Sequence, residues 1–118
     1  MSNGQIAEHK VLCVVDCGVA VNPDVVRAQM EGPVMYGLTA ALHGNLELDN
    51  GAIRESNFHD YPILRVNEAP ELEVIIIQSS EAPTGVGEPV LPPVAPAIAN
   101  AVFAATGQRL RSLPLTLS

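Results

Sequence analysis

The stretch Pro83-Thr84-Gly85-Val86-Gly87-Glu88-Pro89 places two glycines and one carboxylate between two prolines. Glycine has no Cβ, so its backbone can adopt positive φ values or approach another group closely. Pro89 disfavours the α region for Glu88 and pushes that residue toward an extended conformation. The stretch therefore predicts a stiffened turn that presents one acid. Glu88 is then either a positioned general base or a solvated side chain in an ordinary strand-to-helix connection.

The apolar patterns on either side of this turn predict a strand before it and a helix after it. Residues 71–78 carry apolar side chains on both faces, which is typical of a central strand. Residues 93–106 repeat apolar positions at helical spacing, and Gly107 is a C-terminal stop signal. The predicted inward-facing positions of this helix are Val94, Ile98, Val102 and Ala105.

A longer helix is predicted at residues 23–42. Asn22 is a good N-cap, and Pro23 suits the first helical position. Pro33 lacks an N–H and its ring crowds the preceding turn, so we expect the helix to kink or break beside Gln29. Gln29 is then either an exposed helix residue or an amide next to a free carbonyl. The predicted inward stripe consists of Val26, Met30, Val34, Leu38, Ala41 and Leu42.

The other strand signals complete the order of elements. Residues 6–15 predict the first strand, and Asn3-Gly4 before it is a hairpin dipeptide that suggests a cut from a longer chain. Asn50-Gly51 turns a second hairpin, and residues 109–115 predict a final short edge strand. The order β-α-β-β-β-α-β has no internal repeat and no linker. It predicts one α+β domain over residues 1–118, with two helices packed on a mixed β-sheet.

Charge and apolar runs limit the function classes. The chain has 118 residues, a net charge of −7 and only six Lys plus Arg residues. Nucleic acids and anionic membranes attract clustered cations, so both partners are disfavoured. No apolar run approaches the ~18 residues of a membrane helix, and residues 1–5 do not begin a signal peptide. We therefore expect a soluble chain, and the sequence leaves a cytoplasmic or periplasmic parent open.

The metal-ligating residue types do not form a recognisable site. Cys13 and Cys17 lie four residues apart on a predicted strand, about 13 Å, which is too far for a disulfide. We expect both to be buried, reduced thiols. The segment 57–61 is rich in groups that can hold or transfer protons, although a mixed polar strand end is the commoner explanation. His59 within it has no second histidine at ligand spacing, so no metal ligands are predicted.

Five short motifs occur together in an order and spacing that resemble one known family. They are Val14–Gly18, Asn22–Asp24 with Gln29–Gly32, Asn57–Pro62, Gly85–Pro89 and Arg111–Leu115. The chain resembles the C-terminal part of the molybdopterin-binding large (β) subunit of molybdenum hydroxylases, the xanthine dehydrogenase and aldehyde oxidase family. Within it, the resemblance is strongest to the isoquinoline 1-oxidoreductase β subunits. The match covers residues 11–115.

The resemblance implies hydroxylation of N-heteroaromatics or aldehydes with water as the oxygen source. It implies a molybdenum–molybdopterin cofactor and a [2Fe–2S] small subunit as partner. Glu88 falls on the general base of the family, and Gln29 on the glutamine that hydrogen-bonds the pterin. Gly85, Val86 and Gly87 form the loop whose backbone approaches the cofactor.

Two departures from the family pattern matter. Many relatives have glycine where this chain has Pro33, so the helix near Gln29 can sit differently. The family subunit is also several times longer, so we expect a fragment that binds no cofactor and turns over no substrate alone, and that exposes Val and Ile faces. A standalone binding module that has lost the chemistry is the alternative. An upstream reading frame that continues the subunit would favour the fragment.

Overall fold

The computed structural model describes residues 6–117 as two helices and two separate two-stranded sheets, so the predicted α+β class is confirmed. The hairpin predicted at Asn3-Gly4 lies outside the described residues. In chain order the elements are β1 (Lys10–Val15), α1 (Pro23–Leu42), β2 (Leu48–Asp49), β3 (Ala52–Ile53), a 3₁₀ turn (Val66–Glu68), β4 (Glu71–Ile76) and α2 (Leu91–Thr106).

The two sheets do not join within residues 6–117, so the prediction of one mixed sheet is wrong. β1 pairs with β4 in parallel, from Lys10 opposite Glu71 to Val15 opposite Ile76. β2 and β3 form a two-residue antiparallel hairpin around the predicted Asn50-Gly51 turn, where both residues have positive φ. The hairpin is short and exposed. Each of its strands is only two residues long, which offers too few backbone groups to extend the parallel ladder.

β4 is not buried on both faces in this part of the chain. Val74 is buried, but Ile75 and Ile77 are each 44 % exposed, and β4 pairs only with β1 among residues 6–117. The side chains on one face of the ladder, including Val74, face the helices, while those on the other face have no element above them. Residues 71–78 therefore carry more apolar side chains than residues 6–117 bury.

Helix α1 is continuous through Pro33, so the break is wrong, while the kink stays a prediction. The N-cap prediction is confirmed, because the Asn22 side-chain oxygen accepts a hydrogen bond from the Val25 N–H at 3.2 Å. Leu42, predicted inward, is half-buried. The core packing on both sides of Pro33 holds the helix together despite the missing N–H. The buried positions of the predicted stripe are Val26, Met30, Val34, Leu38 and Ala41.

Helix α2 starts at Leu91, two residues before the predicted start, and ends as predicted before Gly107, which has φ 76°. The inward positions Val94, Ile98 and Val102 are confirmed as buried, whereas Ala105 is exposed. The helices approach closely at Gly37: a Cβ there would lie 2.7 Å from the Val94 Cβ. This contact places α2 against α1.

The C-terminal segment 109–115 forms no strand. Instead, the guanidinium of Arg109 lies 3.7 Å from the centroid of the Phe103 ring, and the Leu115 N–H donates to the Ala41 carbonyl at 2.7 Å. These contacts tie the segment to the ends of the two helices rather than to a sheet edge. Cys13 and Cys17 are free and buried, as predicted, and burial raises the pKa of the Cys13 thiol.

The helix contact at Gly37 leads to a test by substitution. Gly37→Ala should lower the free energy of unfolding by about 1–3 kcal/mol, because the new methyl group overlaps the Val94 side chain. The matched control is Gly32→Ala on the same helix, where a Cβ meets no atom within 4 Å. That control should stabilise the chain by up to about 1 kcal/mol, since alanine is the better helix former.

Urea denaturation of the single variants and of the double variant Gly37→Ala/Val94→Ala measures the coupling. The cost of Gly37→Ala should shrink when residue 94 is alanine. Equal costs in both backgrounds would show that the two helices do not meet at this point.

Candidate functional site

Two loops lie side by side where the parallel strands end. The loop 16–22 follows β1 and leads into α1, and the loop 77–90 follows β4 and leads into α2. Because β1 and β4 run in the same direction, both loops leave the ladder at the same edge, the carboxyl edge. Two backbone hydrogen bonds join them: Val19 N–H to the Glu81 carbonyl at 3.0 Å and Thr84 N–H to the Cys17 carbonyl at 2.9 Å.

Gly18 makes the close approach of the two loops possible. Its φ is +71°, and a Cβ at this position would lie 2.2 Å from the Ala82 carbonyl oxygen and 2.7 Å from that of Glu81. Its N–H donates to the Asp16 carboxylate at 3.1 Å. Only glycine fits both the dihedral and the space. The role of Gly18 in joining the two loops was not predicted. The available signal was a glycine shortly after the apolar strand β1.

The predicted site loop lies beyond this junction and is open. Gly85 and Gly87 have no positive φ, and a Cβ on either would meet no atom within 4 Å. Within residues 6–117, therefore, neither glycine is required by a strained backbone or by a close contact. Val86 between them is half-buried and packs against the core, which anchors the loop. The space above both glycines is free to receive another group.

Glu88 lies at the entrance to α2. Its carbonyl accepts a hydrogen bond from the Leu91 N–H at 3.1 Å, whereas its side chain is exposed and has no ion pair or hydrogen bond within residues 6–117. The backbone N–H groups of Gly85, Val86 and Gly87 also have no partner in the described part of the chain. Within the described residues the loop thus offers one carboxylate and three unused N–H donors.

Gln29 lies in the second turn of α1 and is exposed. Its amide makes no hydrogen bond with any residue between 6 and 117, so it is not joined to the 85–88 loop. Pro33 has no N–H, so the carbonyl of Gln29 lacks its usual donor one turn on, although α1 is intact there. The side-chain amide of Gln29 is available as both donor and acceptor, which suits the edge of a heterocycle.

These groups fit the molybdopterin cofactor in chemistry. A pterin needs paired donors and acceptors, and Gln29 and the loop N–H groups have both free. Residues 6–117 leave the Glu88 side chain exposed and do not enclose it in a pocket. Any walls around the site must come from outside the described residues.

The polar segment 57–61 is a self-contained exposed turn. Its Asp60 carboxylate accepts hydrogen bonds from the N–H groups of Ser56 and Asn57, each at 2.9 Å. These bonds, with a smaller contribution from the hydroxyl of Ser56, lower the pKa of Asp60 to about 2. His59 lies 3.6 Å from this carboxylate and is exposed. Asp60 therefore closes the turn as an ionised acceptor, which favours the structural interpretation of this segment.

Metal sites and membrane-spanning helices are both absent from the described residues. No group of three or more His, Cys, Asp and Glu side chains between residues 6 and 117 is placed to hold a metal ion. No helix in that range is long and apolar enough to cross a membrane.

Comparison with known proteins gives the family. The model of the molybdopterin cofactor-binding domain family matches residues 1–70. The β subunit of isoquinoline 1-oxidoreductase from Brevundimonas diminuta is 42 % identical over 114 residues, which is 97 % of this chain and 15 % of that protein. The membrane-bound aldehyde dehydrogenase (pyrroloquinoline-quinone) of Gluconacetobacter polyoxogenes is 40 % identical over 114 residues, with the same 97 % and 15 % coverage.

Comparison with solved structures supports the fold. Quinoline 2-oxidoreductase from Pseudomonas putida 86 superposes with a TM-score of 0.75 over 87 % of this chain and 14 % of that chain, at 21 % identity. The chain spans only 15 % of the length of the isoquinoline 1-oxidoreductase β subunit and of the membrane-bound aldehyde dehydrogenase. The resemblance indicated by the five motifs is confirmed: the chain belongs to the molybdopterin cofactor-binding domain family and is related to the molybdopterin-binding subunits of molybdenum hydroxylases.

Proposed function

We propose that this chain is one domain, at the C-terminal end of a longer molybdenum hydroxylase subunit, and that it supplies the general base Glu88 and part of the pterin site. The parent enzyme would hydroxylate N-heteroaromatic compounds or aldehydes with water as the oxygen source. One observation carries the proposal. The acid that the family resemblance assigns as base is unpaired, exposed and held on an anchored glycine loop at the carboxyl edge of a parallel ladder.

The position of Glu88 suits proton transfer. Ligand sites of open α/β sheets lie beyond the carboxyl ends of the strands, which is where the 77–90 loop emerges. The carboxylate has no cation or N–H partner among residues 6–117, so it is free to take up the proton that water loses during hydroxylation. The bound cofactor would supply the two-electron redox chemistry, which no side chain of this loop can provide.

The glycine loop and Gln29 would hold the pterin part of the cofactor. Val86 fixes the loop to the core, so the free N–H groups of residues 85–87 keep a defined direction. The absence of side chains on Gly85 and Gly87 lets a planar group approach the backbone closely. Gln29 contributes an amide from the neighbouring helix, and its lack of an internal partner leaves all its donors and acceptors available.

The remainder of the subunit is part of the proposal. The chain covers 15 % of the length of its isoquinoline-oxidising relative, so most of the cofactor contacts and the substrate pocket would come from elsewhere in the subunit. A [2Fe–2S] small subunit would accept the electrons. The isolated 118-residue chain should therefore hydroxylate no N-heteroaromatic compound or aldehyde.

The base assignment is tested by Glu88→Gln in the full-length subunit assembled with its iron–sulfur partner. The reductive half-reaction with isoquinoline should slow by about 10²–10⁴-fold, because the amide cannot accept the proton. Molybdenum content should not change. Glu81→Gln, an exposed acid in the same loop, is the matched control and should react at the normal rate. If isoquinoline reduced the Glu88→Gln enzyme at a near-normal rate, Glu88 would not be the base, and the chain would have only a structural role.

The pterin contact is tested by Gln29→Ala in the same assembled enzyme. Loss of the amide should lower the amount of molybdenum and pterin retained after purification, since the proposed hydrogen bonds from Gln29 to the cofactor would be lost. The exposed neighbour Glu31→Ala serves as the control on the same helix. Metal and pterin analysis report cofactor binding independently of turnover. Full cofactor content and an unchanged rate in Gln29→Ala would remove Gln29 from the site.

A further inference from the structure

The outer edge of β1 carries unpaired backbone groups. Glu71 N–H donates to the His9 carbonyl at 3.0 Å, and Ile77 N–H donates to the Val15 carbonyl at 2.8 Å. In a parallel ladder these bonds mean that the odd-numbered residues of β1 direct their N–H and C=O toward β4. The N–H and C=O of Leu12 and Val14 therefore point to the opposite edge. Neither residue has a backbone partner there within residues 6–117.

The outer edge of β4 is different because α1 covers part of it. The Arg27 guanidinium on α1 donates to the Val74 carbonyl at 2.7 Å. Val74 is one of the even-numbered residues that face away from β1, so this bond satisfies an edge carbonyl. The outer edge of β1 has no such side-chain bond within residues 6–117, so it is open to another strand.

An apolar groove runs along that edge, between β1 and α2. It consists of two adjoining cavities of about 530 Å³ and 290 Å³, and no residue of β4 lines either of them. Both cavities are lined by Val11 and Leu12 of β1 and by Val94 and Ala97 of α2, which makes the groove continuous. A groove beside an open strand edge offers hydrogen bonds and apolar contact together.

The wall of the groove formed by α2 is made of small side chains. Ala97, Ala101 and Ala105 follow each other at helical spacing, and all three are exposed and line the larger cavity. This explains why Ala105 fits an inward pattern in the sequence and yet is exposed. Small side chains leave room for an extended backbone between the helix and β1.

One polar atom in the groove lacks a partner. Glu8 lines the larger cavity, and its Oε1 is buried without a hydrogen bond in the described chain. Burial raises the pKa of this carboxyl group. Buried acceptors are normally satisfied, so an incoming N–H donor at this end of the groove would complete the site.

We propose that an extended segment from the remainder of the longer subunit adds to the free edge of β1 as a further strand and fills the groove beside α2. This inference rests on the proposed function, because it requires the chain to be part of a longer subunit. The chain spans 15 % of the length of its isoquinoline-oxidising relative, so the rest of such a subunit is long enough to supply the segment. A second copy is the poorer occupant, since each chain carries a net charge of −7 and two copies repel each other.

Amide hydrogen exchange at single-residue resolution tests the proposal, in the isolated 118-residue chain and in the full-length subunit. The amides of Leu12 and Val14 should exchange at least about 100-fold more slowly in the full-length subunit, because the added strand gives them partners. The amides of Cys13 and Val15 point to β4 and are the internal controls, protected in both proteins. Fast exchange at Leu12 and Val14 in the full-length subunit would overturn the proposal. Protection in the isolated chain that rises with concentration would overturn it in favour of a second copy.

A pair of variants in the full-length subunit gives the same answer if the isolated chain does not fold. Ala101→Glu places a carboxylate in the groove and should speed exchange at Leu12 and Val14 by about tenfold or more. Ala104→Glu, exposed on α2 but outside the groove lining, is the matched control and should leave exchange unchanged. Equal behaviour of the two variants would refute the added strand.

These readouts are independent of turnover and therefore separate this inference from the proposed function. Protected Leu12 and Val14 amides together with a fully active Glu88→Gln enzyme would keep the added strand and remove the catalytic assignment. Unprotected Leu12 and Val14 amides together with an inactive Glu88→Gln enzyme would remove the added strand and keep the catalytic assignment.

Discussion

The parallel pairing of β1 with β4 is the interaction on which the rest of this structure depends. Parallel strands cannot be joined by a tight turn, so the chain between them must cross over the sheet. Helix α1 makes that crossover, and its fully buried side chains Met30, Val34 and Leu38 form the centre of the core. Helix α2 then packs on α1 where Gly37 lets Val94 come close.

The same pairing creates the candidate site. Because both strands run in one direction, the loops that follow them emerge together, and Gly18 allows their backbones to touch at Ala82. This junction fixes the base of the 77–90 loop, and Val86 anchors its middle. Glu88 and the free N–H groups of the loop are consequently held in place without being engaged. A site that must receive a large cofactor needs that combination of a fixed backbone and unused polar groups.

The parallel ladder of β1 and β4 leaves apolar side chains of its outward face exposed within residues 6–117. Leu12 and Val14 are 54 % and 57 % exposed, and Ile75 and Ile77 are 44 % exposed, so the outward face has the Val and Ile exposure expected of a domain taken from a larger fold. Such contiguous apolar surface normally marks an interaction site. The exposed face, the open edge of β1 and the exposed Glu88 side chain agree with the proposal that this chain is part of a longer subunit.

Much of the local structure could be predicted from the sequence. Asn22, Gly107 and the apolar stripes of both helices were informative because caps and helical periodicity depend on residues close together in the chain. Glu88 was correctly placed on a loop before a helix for the same reason. The break at Pro33, the strand at 109–115 and the single mixed sheet were wrong. For residues 109–115 a distant contact, between Leu115 and Ala41, outweighed the local signal.

The sequence by itself determined the types and order of most elements, the residues of the candidate site and, through five motifs in register, the family. Only the tertiary structure decided that β1 pairs with β4 alone within residues 6–117, that Gly18 joins the two loops, and that Leu12 and Val14 border an open groove. The physical reason is the range of the interactions. Propensity, capping and periodicity act between near neighbours in the chain. Strand pairing and close packing depend on residues far apart in the chain, and no local sequence pattern shows that such residues come into contact.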